Sequence, residues 1–238
     1  MVLNQAATGI RRVGVAHPVV RPARPPIVGR ANAKGDSLSK SLSDLYEEVK
    51  DCQKCSLWKT RTQTVFGVGN ENAEILLVGE APGYYEDKQG EPFVGAAGKL
   101  LDELLASIGL NREKVYITNI LKSRPPGNRD PLPEEIEACK PYLIEQIKII
   151  NPAVIVSLGA FASRVLLEKN ISMKQVHGRG FWVKEHNVFP IYHPAAALHS
   201  PNTKETLEQD FLALKDFLSE GTNKETKPPE EPAQTSLF

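Results

Sequence analysis

The chain has few of the features that mark membrane, secreted or disulfide-rich proteins. Its 238 residues include only three cysteines, and no apolar run approaches the ~20 residues that span a membrane. The sequence does not have the charged segment followed by an apolar stretch that is typical of a secretory signal. An odd number of cysteines, two of them in the pair Cys52-x-x-Cys55, indicates metal or redox chemistry before disulfides. We therefore expect an intracellular globular protein with no membrane partner.

The chain also lacks net charge, because its 29 basic residues balance 29 acidic ones. The charge is unevenly placed: residues 1–36 carry about +5 and residues 220–238 carry −2, which leaves about −3 between them. Bulk electrostatics therefore argue weakly against DNA binding by the central part of the chain. Any phosphate contacts must come from local patches.

Composition divides the chain into three parts, and no internal repeat is present. Residues 1–37 are rich in Pro, Arg, Ala and Gly, which predicts a disordered basic arm, with a targeting segment as the alternative. Residues 38–219 are expected to form one domain. Residues 220–238 are rich in Pro, Glu, Lys and Thr, and we expect a disordered tail.

Within the central part, apolar runs typical of buried strands alternate with segments of helical periodicity. This pattern predicts an α/β fold, a three-layer sandwich with a central, mainly parallel sheet and helices on both faces. The predicted strands are 74–78, 115–120, 153–159 and two short ones within 180–192. The predicted helices are 38–50, 99–105, 134–150, 161–168 and 206–218.

Two loops that follow predicted strands carry the side chains that could bind a ligand or take part in a reaction. Residues 79–98, GEAPGYYEDKQGEPFVGAAG, place several carboxylates and Phe93 after a strand, where open α/β sheets bind ligands. A solvated loop with capping acids is the alternative. Residues 191–199 place His193 after a second apolar run, and a structural histidine in a turn is the alternative there.

Together these segments resemble the family 4 uracil-DNA glycosylases, the iron–sulfur branch of their superfamily. The similar motifs are GEAPG, PFVGAAG, the pair Thr118-Asn119, RPPGNR and YHPAA, within residues 42–217. The resemblance implies an enzyme of base-excision repair that hydrolyses the N-glycosidic bond of deoxyuridine in DNA, releases uracil and leaves an abasic site. Two alternatives stay open, a relative of altered base specificity and a non-catalytic module that binds damaged DNA.

The resemblance also implies roles in the pocket. Phe93 would stack on uracil, with Ala81 beside it, and Asn119 would read the edge that separates uracil from cytosine. His193 would donate a hydrogen bond to uracil O2 as charge develops there. A core aromatic and a capping asparagine are the alternatives for Phe93 and Asn119.

The resemblance leaves two candidates for the residue that positions the attacking water. The aspartate of the classical uracil glycosylases is absent after the first strand, where this chain has Glu80. Glu80 and Glu86 are both candidates for holding the water, and either could instead lie beside the uracil C5 edge. The sequence does not separate these two roles.

Contacts to the rest of the DNA are expected from four residues. Leu198 is a candidate wedge for the gap left by a flipped nucleotide, one position later than the leucine of the family. Lys122, Arg124 and Arg129 lie in or beside a proline-rich loop and could contact phosphates. An ordinary solvated basic loop is the alternative.

The resemblance implies a 4Fe-4S cluster, for which Cys52, Cys55 and Cys139 match three of the four ligands. The fourth position, sixteen residues before Cys139, is Ser123. A serine hydroxyl is a poor replacement for a thiolate, because clusters are held by thiolates. We expect a cluster that is more labile than one with four thiolates, or a chain that has lost its metal.

The last five residues, QTSLF, resemble peptides that dock on replication sliding clamps. Gln234, Leu237 and Phe238 are the expected contacts, because large apolar side chains in a disordered tail have no core to enter. An uninformative terminus is the alternative. We further expect a monomer that acts on uracil-containing DNA in a prokaryotic cytoplasm or nucleoid.

Overall fold

The structure is a computed structural model that describes residues 40–220 and Pro228. The predicted basic arm and the predicted clamp-binding residues Gln234, Leu237 and Phe238 lie outside the described residues. The boundaries proposed for the arm, the domain and the tail stay predictions.

Among the described residues, six strands form one mixed sheet: β1 Val68–Gly69, β2 Ile75–Gly79, β3 Tyr116–Asn119, β4 Val154–Leu158, β5 Phe181–Val183 and β6 His186–Ile191. Their order across the sheet is β1-β3-β2-β4-β6-β5. The four inner strands run parallel, and β1 and β5 pair antiparallel at the two edges. The predicted mainly parallel sheet is therefore confirmed, whereas β1 was not predicted because two residues carry no periodicity.

Eight α-helices accompany the sheet within the described residues. They are α1 Leu42–Val49, α2 Tyr84–Gln89, α3 Ala96–Ser107, α4 Pro133–Ile150, α5 Gly159–Leu167, α6 Met173–Val176, α7 Pro194–Ala197 and α8 Pro201–Ser219. The short helices α2, α6 and α7 were not predicted. Helix α8 begins five residues before the predicted start, because Pro201 occupies its first turn and Ser200 Oγ accepts a hydrogen bond from Thr203 N at 3.3 Å.

The helices cover both faces of the sheet, as the alternation of β2 shows. Ile75 and Leu77 pack in one apolar cluster with α3 and α8, and Leu76 and Val78 pack in another with α1 and α4. Successive strand residues point to opposite faces of the sheet. Each cluster therefore lies between the sheet and one of the two helix layers, which makes the fold a three-layer sandwich. No helix in the part of the chain that the structure describes is long and apolar enough to cross a membrane.

The parallel inner strands bring their carboxyl ends to one edge of the sheet. Gly79, the last residue of β2, is in register with Asn119, the last residue of β3. Strand β6 ends at Ile191, two residues before His193. The loops that carry the predicted pocket residues therefore leave the sheet at the same edge.

Candidate active site

A pocket of about 370 Å³ lies at this edge of the sheet. Its lining comes from segments that are up to 115 positions apart in the sequence, from position 80 to position 195. The predicted residues that it brings together are Glu80, Ala81, Glu86, Phe93, Asn119, Arg129 and His193. The structure therefore unites all the residues predicted to bind or react with the base.

Asn119 presents its amide to the pocket from the end of β3. Its side chain is almost fully buried and makes no hydrogen bond to another described residue. Its backbone oxygen accepts a hydrogen bond from Lys122 Nζ at 2.6 Å, which fixes the main chain. Gly79 leaves the room that the amide occupies, because a Cβ at that position would collide with Asn119 Oδ1.

Phe93 is held in an unusual backbone conformation at the pocket wall. Its φ of 56° is in the left-handed region, which is rarely adopted by bulky residues and often marks a functional position. Arg112 stabilises it by donating from Nη1 to Pro92 O at 3.1 Å and from Nη2 to Phe93 O. Gly98 permits the close approach, because a Cβ there would clash with the Phe93 carbonyl.

His193 follows β6 and caps the short helix α7. Its Nδ1 accepts a hydrogen bond from Ala195 N at 3.1 Å, so the proton of the neutral ring lies on Nε2. Burial lowers the pKa of His193 to about 4, against a smaller opposing effect of Glu86. The imidazole is therefore neutral at physiological pH and offers a single N–H donor.

The two glutamates differ in their surroundings. Glu86 Oε1 accepts hydrogen bonds from Val94 N at 3.1 Å and Gly95 N at 3.3 Å, so this carboxylate braces the turn that carries Phe93. Glu80 makes no hydrogen bond or ion pair to a described side chain. Burial, followed by the negative charge of Asp130, raises the pKa of Glu80. Among the described residues, Glu80 therefore has no hydrogen-bond donor on either carboxylate oxygen, whereas Glu86 has two on Oε1.

The three cysteines lie in one region with Ser123, on the face of the sheet that α1 and α4 cover. Arg61 links this region, since its Nη1 donates to Cys52 O at 2.8 Å and to Ser123 Oγ at 3.0 Å. Burial raises the pKa of the Cys139 thiol, and the neighbouring Cys55 and Cys52 raise it further. The thiols are thus close enough to affect one another electrostatically.

The cysteine region offers three thiols and the hydroxyl of Ser123 as donors to a metal group. Among the described residues, no three His, Cys, Asp or Glu side chains are arranged to hold a single metal ion. A multi-iron cluster distributes its ligands over several atoms, so its thiolates need not meet at one point. The guanidinium of Arg61, which has no carboxylate within ion-pairing distance in the part of the chain that the structure describes, also suits a centre that carries the negative charge of several thiolates. Thiols are the donors that such clusters use, and the position that would be the fourth offers a hydroxyl.

Comparison with known proteins agrees with this geometry. The family model described as the uracil DNA glycosylase superfamily matches residues 66–215. Three relatives named type-4 uracil-DNA glycosylase come from Archaeoglobus fulgidus, Sulfurisphaera tokodaii and Saccharolobus solfataricus. They are 54%, 50% and 48% identical to this chain, covering 74%, 74% and 75% of it and 92%, 84% and 87% of the respective relative.

The chain belongs to the type-4 uracil-DNA glycosylase family. The resemblance identified from the sequence motifs is thereby confirmed, together with the fold that it implied. The matched residues 66–215 include every pocket residue that was predicted from the sequence.

One DNA contact predicted for this type-4 glycosylase is wrong. Lys122 is 1% exposed and donates to Thr118 Oγ1, Asn119 O and Gln146 Oε1, each at 2.6 Å. Burial lowers its pKa to about 7. With its donors directed into the interior, Lys122 cannot reach a phosphate and instead supports the backbone of Asn119.

The other predicted DNA contacts stay predictions. Arg129 lines the pocket but is ion-paired with the buried Glu135 through Nη1 at 2.9 Å and Nη2 at 2.6 Å. Arg124 donates from Nε to Asn128 Oδ1 at 2.7 Å. Leu198 is 43% exposed at the end of α7, so it is available to contact DNA.

Four residues of this type-4 site were not found from the sequence. Gly79 and Gly98 provide space, Arg112 holds Phe93, and Arg61 bridges the cysteine region to Ser123. The sequence could have indicated the two glycines, because Gly79 begins the motif GEAPG at a strand end and Gly98 ends the motif PFVGAAG at a helix start. The two arginines had none, since their partners, which are backbone oxygens, the Ser123 hydroxyl and the Asp102 carboxylate, are brought close only by folding.

Proposed function

We propose that this protein hydrolyses the N-glycosidic bond of deoxyuridine in DNA, so that uracil is released and an abasic site remains. The observation that carries the proposal is one pocket that combines the ring of Phe93, the unengaged amide of Asn119 and the neutral imidazole of His193. These groups supply stacking, base selection and charge stabilisation, which are the needs of base excision.

Base selection follows from the amide of Asn119. Its oxygen accepts a hydrogen bond from uracil N3–H, and its nitrogen donates one to O4. Cytosine presents the reverse pattern at these positions, so the same amide orientation leaves buried groups unpaired against it. The Lys122 contact to the Asn119 backbone limits how far the amide can move to accommodate the wrong base.

Charge stabilisation follows from His193. The departing uracil carries negative charge on O2, and a pre-oriented donor stabilises that charge without reorganisation. Because Ala195 N already occupies Nδ1, only Nε2–H remains to donate. A neutral imidazole suffices, and because of its low pKa the ring carries no extra proton at neutral pH.

For the water, we assign Glu80 as the residue that orients it and Glu86 as a positioning residue. Glu86 is committed to the amides of Val94 and Gly95, whereas the Glu80 carboxylate lines the pocket unengaged. No lysine is among the lining residues of this pocket, and Lys122 is saturated with acceptors. A lyase step through an amine nucleophile is therefore not part of the proposal.

The cluster is proposed to be structural. Cys52, Cys55 and Cys139 would hold it, with Ser123 at the fourth position. When bound, it supplies a cross-link between the segment before β1 and helix α4, and hydrolysis needs no electron from it. Metal binding of this kind is coupled to folding, so a loss of iron is expected to lower stability before it changes base selection.

We also propose that the enzyme is a monomer of the prokaryotic cytoplasm that docks on a sliding clamp through Gln234, Leu237 and Phe238. The support is the sequence QTSLF after an acidic, Pro-rich segment. Titration of the cognate clamp with the intact chain should show binding of roughly micromolar strength. Equal binding by a Leu237→Ala/Phe238→Ala variant, or none by the intact chain, would exclude the docking.

The glycosylase proposal is tested by separating base release from strand cleavage. An end-labelled oligonucleotide with one deoxyuridine is incubated with the protein, and free uracil and alkali-labile sites are both quantified. The proposal expects equal amounts of the two, and no strand break before alkali. Strand breaks without alkali, or binding without uracil release, would contradict it.

A further inference from the structure

Two adjacent aromatic side chains are left exposed beside the pocket. Tyr84 and Tyr85, at the start of α2, are 50% and 60% exposed. Their ring centroids are 5.4 Å apart and their planes meet at 83°, an edge-to-face arrangement. This arrangement leaves ring area uncovered, most of all on the more exposed Tyr85. Folding gains little from leaving such rings in water, and exposed aromatic area next to a pocket is typical of binding surfaces.

Two cationic side chains lie over the ring of Tyr84. The Arg124 guanidinium carbon lies 5.1 Å from the Tyr84 ring centroid, and Lys88 Nζ lies 5.9 Å from the same centroid. Among the described residues, neither Arg124 nor Lys88 has a carboxylate within ion-pairing distance. The surface therefore combines aromatic faces with two uncompensated positive charges, which is the combination that binds single-stranded nucleic acid.

The tyrosine pair is continuous with the pocket. Gly83 and Glu86, which flank the two tyrosines in sequence, both line the pocket. Arg124 is hydrogen-bonded to Asn128, another lining residue. A DNA strand that delivers one nucleotide to the pocket must therefore pass its neighbouring nucleotides over or close to this surface.

We infer that Tyr84 and Tyr85 stack on an unpaired base next to the target uracil, while Arg124 and Lys88 contact the phosphates of the same strand. The inference rests on the proposed function and adds a substrate preference to it. In a duplex, the neighbouring base is paired and stacked within the helix, so its face is not available to a tyrosine. The surface should therefore favour single-stranded DNA over duplex DNA.

The first test measures binding apart from excision. A fluorescently labelled oligothymidine without uracil is titrated with the intact protein and with Tyr84→Ala/Tyr85→Ala. Loss of a base–aromatic stack should weaken binding about tenfold or more. Tyr84→Phe should bind like the unchanged protein, because the ring and not the hydroxyl is used. Tyr46→Ala is the matched control, since Tyr46 is also an exposed helical tyrosine, at 43%.

The second test measures uracil release from a single strand and from a duplex of the same sequence. The double variant should lose kcat/KM mainly on the single strand, and the ratio of the two rates should fall. Unchanged oligothymidine binding, or an equal loss on both substrates, would overturn the inference. Failure of the unchanged protein to release uracil from either substrate would instead contradict the proposed function, whatever the binding result.

Discussion

His193 and Phe93 lie ring against ring, with centroids 5.6 Å apart and planes inclined by 28°. Gly159, at a φ of +90°, leaves the space that His193 occupies, because a Cβ at Gly159 would lie only 2.9 Å from His193 Cβ. The stacking ring and the hydrogen-bond donor assigned to the substrate thus support each other before the substrate arrives. Such preorganisation makes a donor effective in a transition state.

Replacing His193 by Ala should lower the rate of uracil release by roughly two to three orders of magnitude, the usual loss for one such donor. Single-turnover kinetics on a uracil-containing oligonucleotide would measure it. His199→Ala is the control, because His199 is exposed and outside the pocket. A His193→Ala variant that kept a near-normal rate would remove this residue from the mechanism.

The low pKa of His193 also predicts a pH dependence of stability. Burial lowers this pKa from 6.5 to about 4, so the unfolded chain binds more protons than the folded chain between these values. The free energy of unfolding should therefore fall as the pH is lowered through this window. Urea unfolding at several pH values should show a weaker fall for His193→Gln. Identical slopes for both proteins would mean that the imidazole is not held neutral by burial.

Asn119→Asp should lose uracil release and gain release of cytosine, because a carboxylate accepts a hydrogen bond from the cytosine amino group. Asn119→Ala should lose activity on both bases. The measurement is base release from matched oligonucleotides that contain one uracil or one unpaired cytosine. If Asn119→Ala kept its activity on uracil, the base-reading role of this amide would be wrong.

Gly79→Ala should abolish most activity, since the added methyl group would collide with Asn119 Oδ1 and lie 2.8 Å from Phe93 Cζ. Overpacking of this kind also destabilises a fold, typically by about 1–3 kcal/mol. Gly109→Ala is the control, because a Cβ at Gly109 meets nothing within 4 Å although its φ of +82° disfavours alanine. Thermal unfolding and uracil release should separate the two: both variants lose some stability, and only Gly79→Ala loses the pocket.

Ser123→Cys should raise the iron content per chain and the melting temperature, because a fourth thiolate would complete the donor set beside the Arg61 guanidinium. Ser107→Cys is the control, as Ser107 ends helix α3 on the opposite face of the sheet. Iron analysis and thermal unfolding of anaerobically purified proteins would compare them. Equal iron in Ser123→Cys and the unchanged protein would show that position 123 is not a ligand position.

Periodicity and motif spacing were sufficient for the parallel sheet and for the pocket residues. Strand β2 reads as a buried apolar run, and a residue placed at its carboxyl end must face the ligand edge of such a sheet. Glu80 and His193 were therefore candidates from their positions after strands, whereas Asn119 and the roles in the pocket came from the family resemblance. Helices α2 and α7 were missed because six and four residues are too few to show a helical repeat.

Side-chain direction was the part that the sequence could not supply. Lys122 and Arg124 are two residues apart in the same basic stretch, yet Lys122 is buried among oxygens and Arg124 lies over Tyr84. Nothing in a charge pattern distinguishes a lysine that supports the backbone from an arginine at the surface. Arg61 and Arg112 were missed for the same reason, since folding alone brings them to their partners.

The central claim is most directly tested by the rate of free base release under single-turnover conditions from oligonucleotides that differ only in carrying deoxyuridine, thymidine or deoxycytidine at one position. The account predicts rapid release of uracil and none of cytosine, because the amide of Asn119 selects the base edge. It also predicts no release of thymine, whose C5 methyl group would meet the pocket carboxylate, Glu80 or Glu86, expected beside the C5 edge. No uracil release, or release of thymine at a comparable rate, would contradict it.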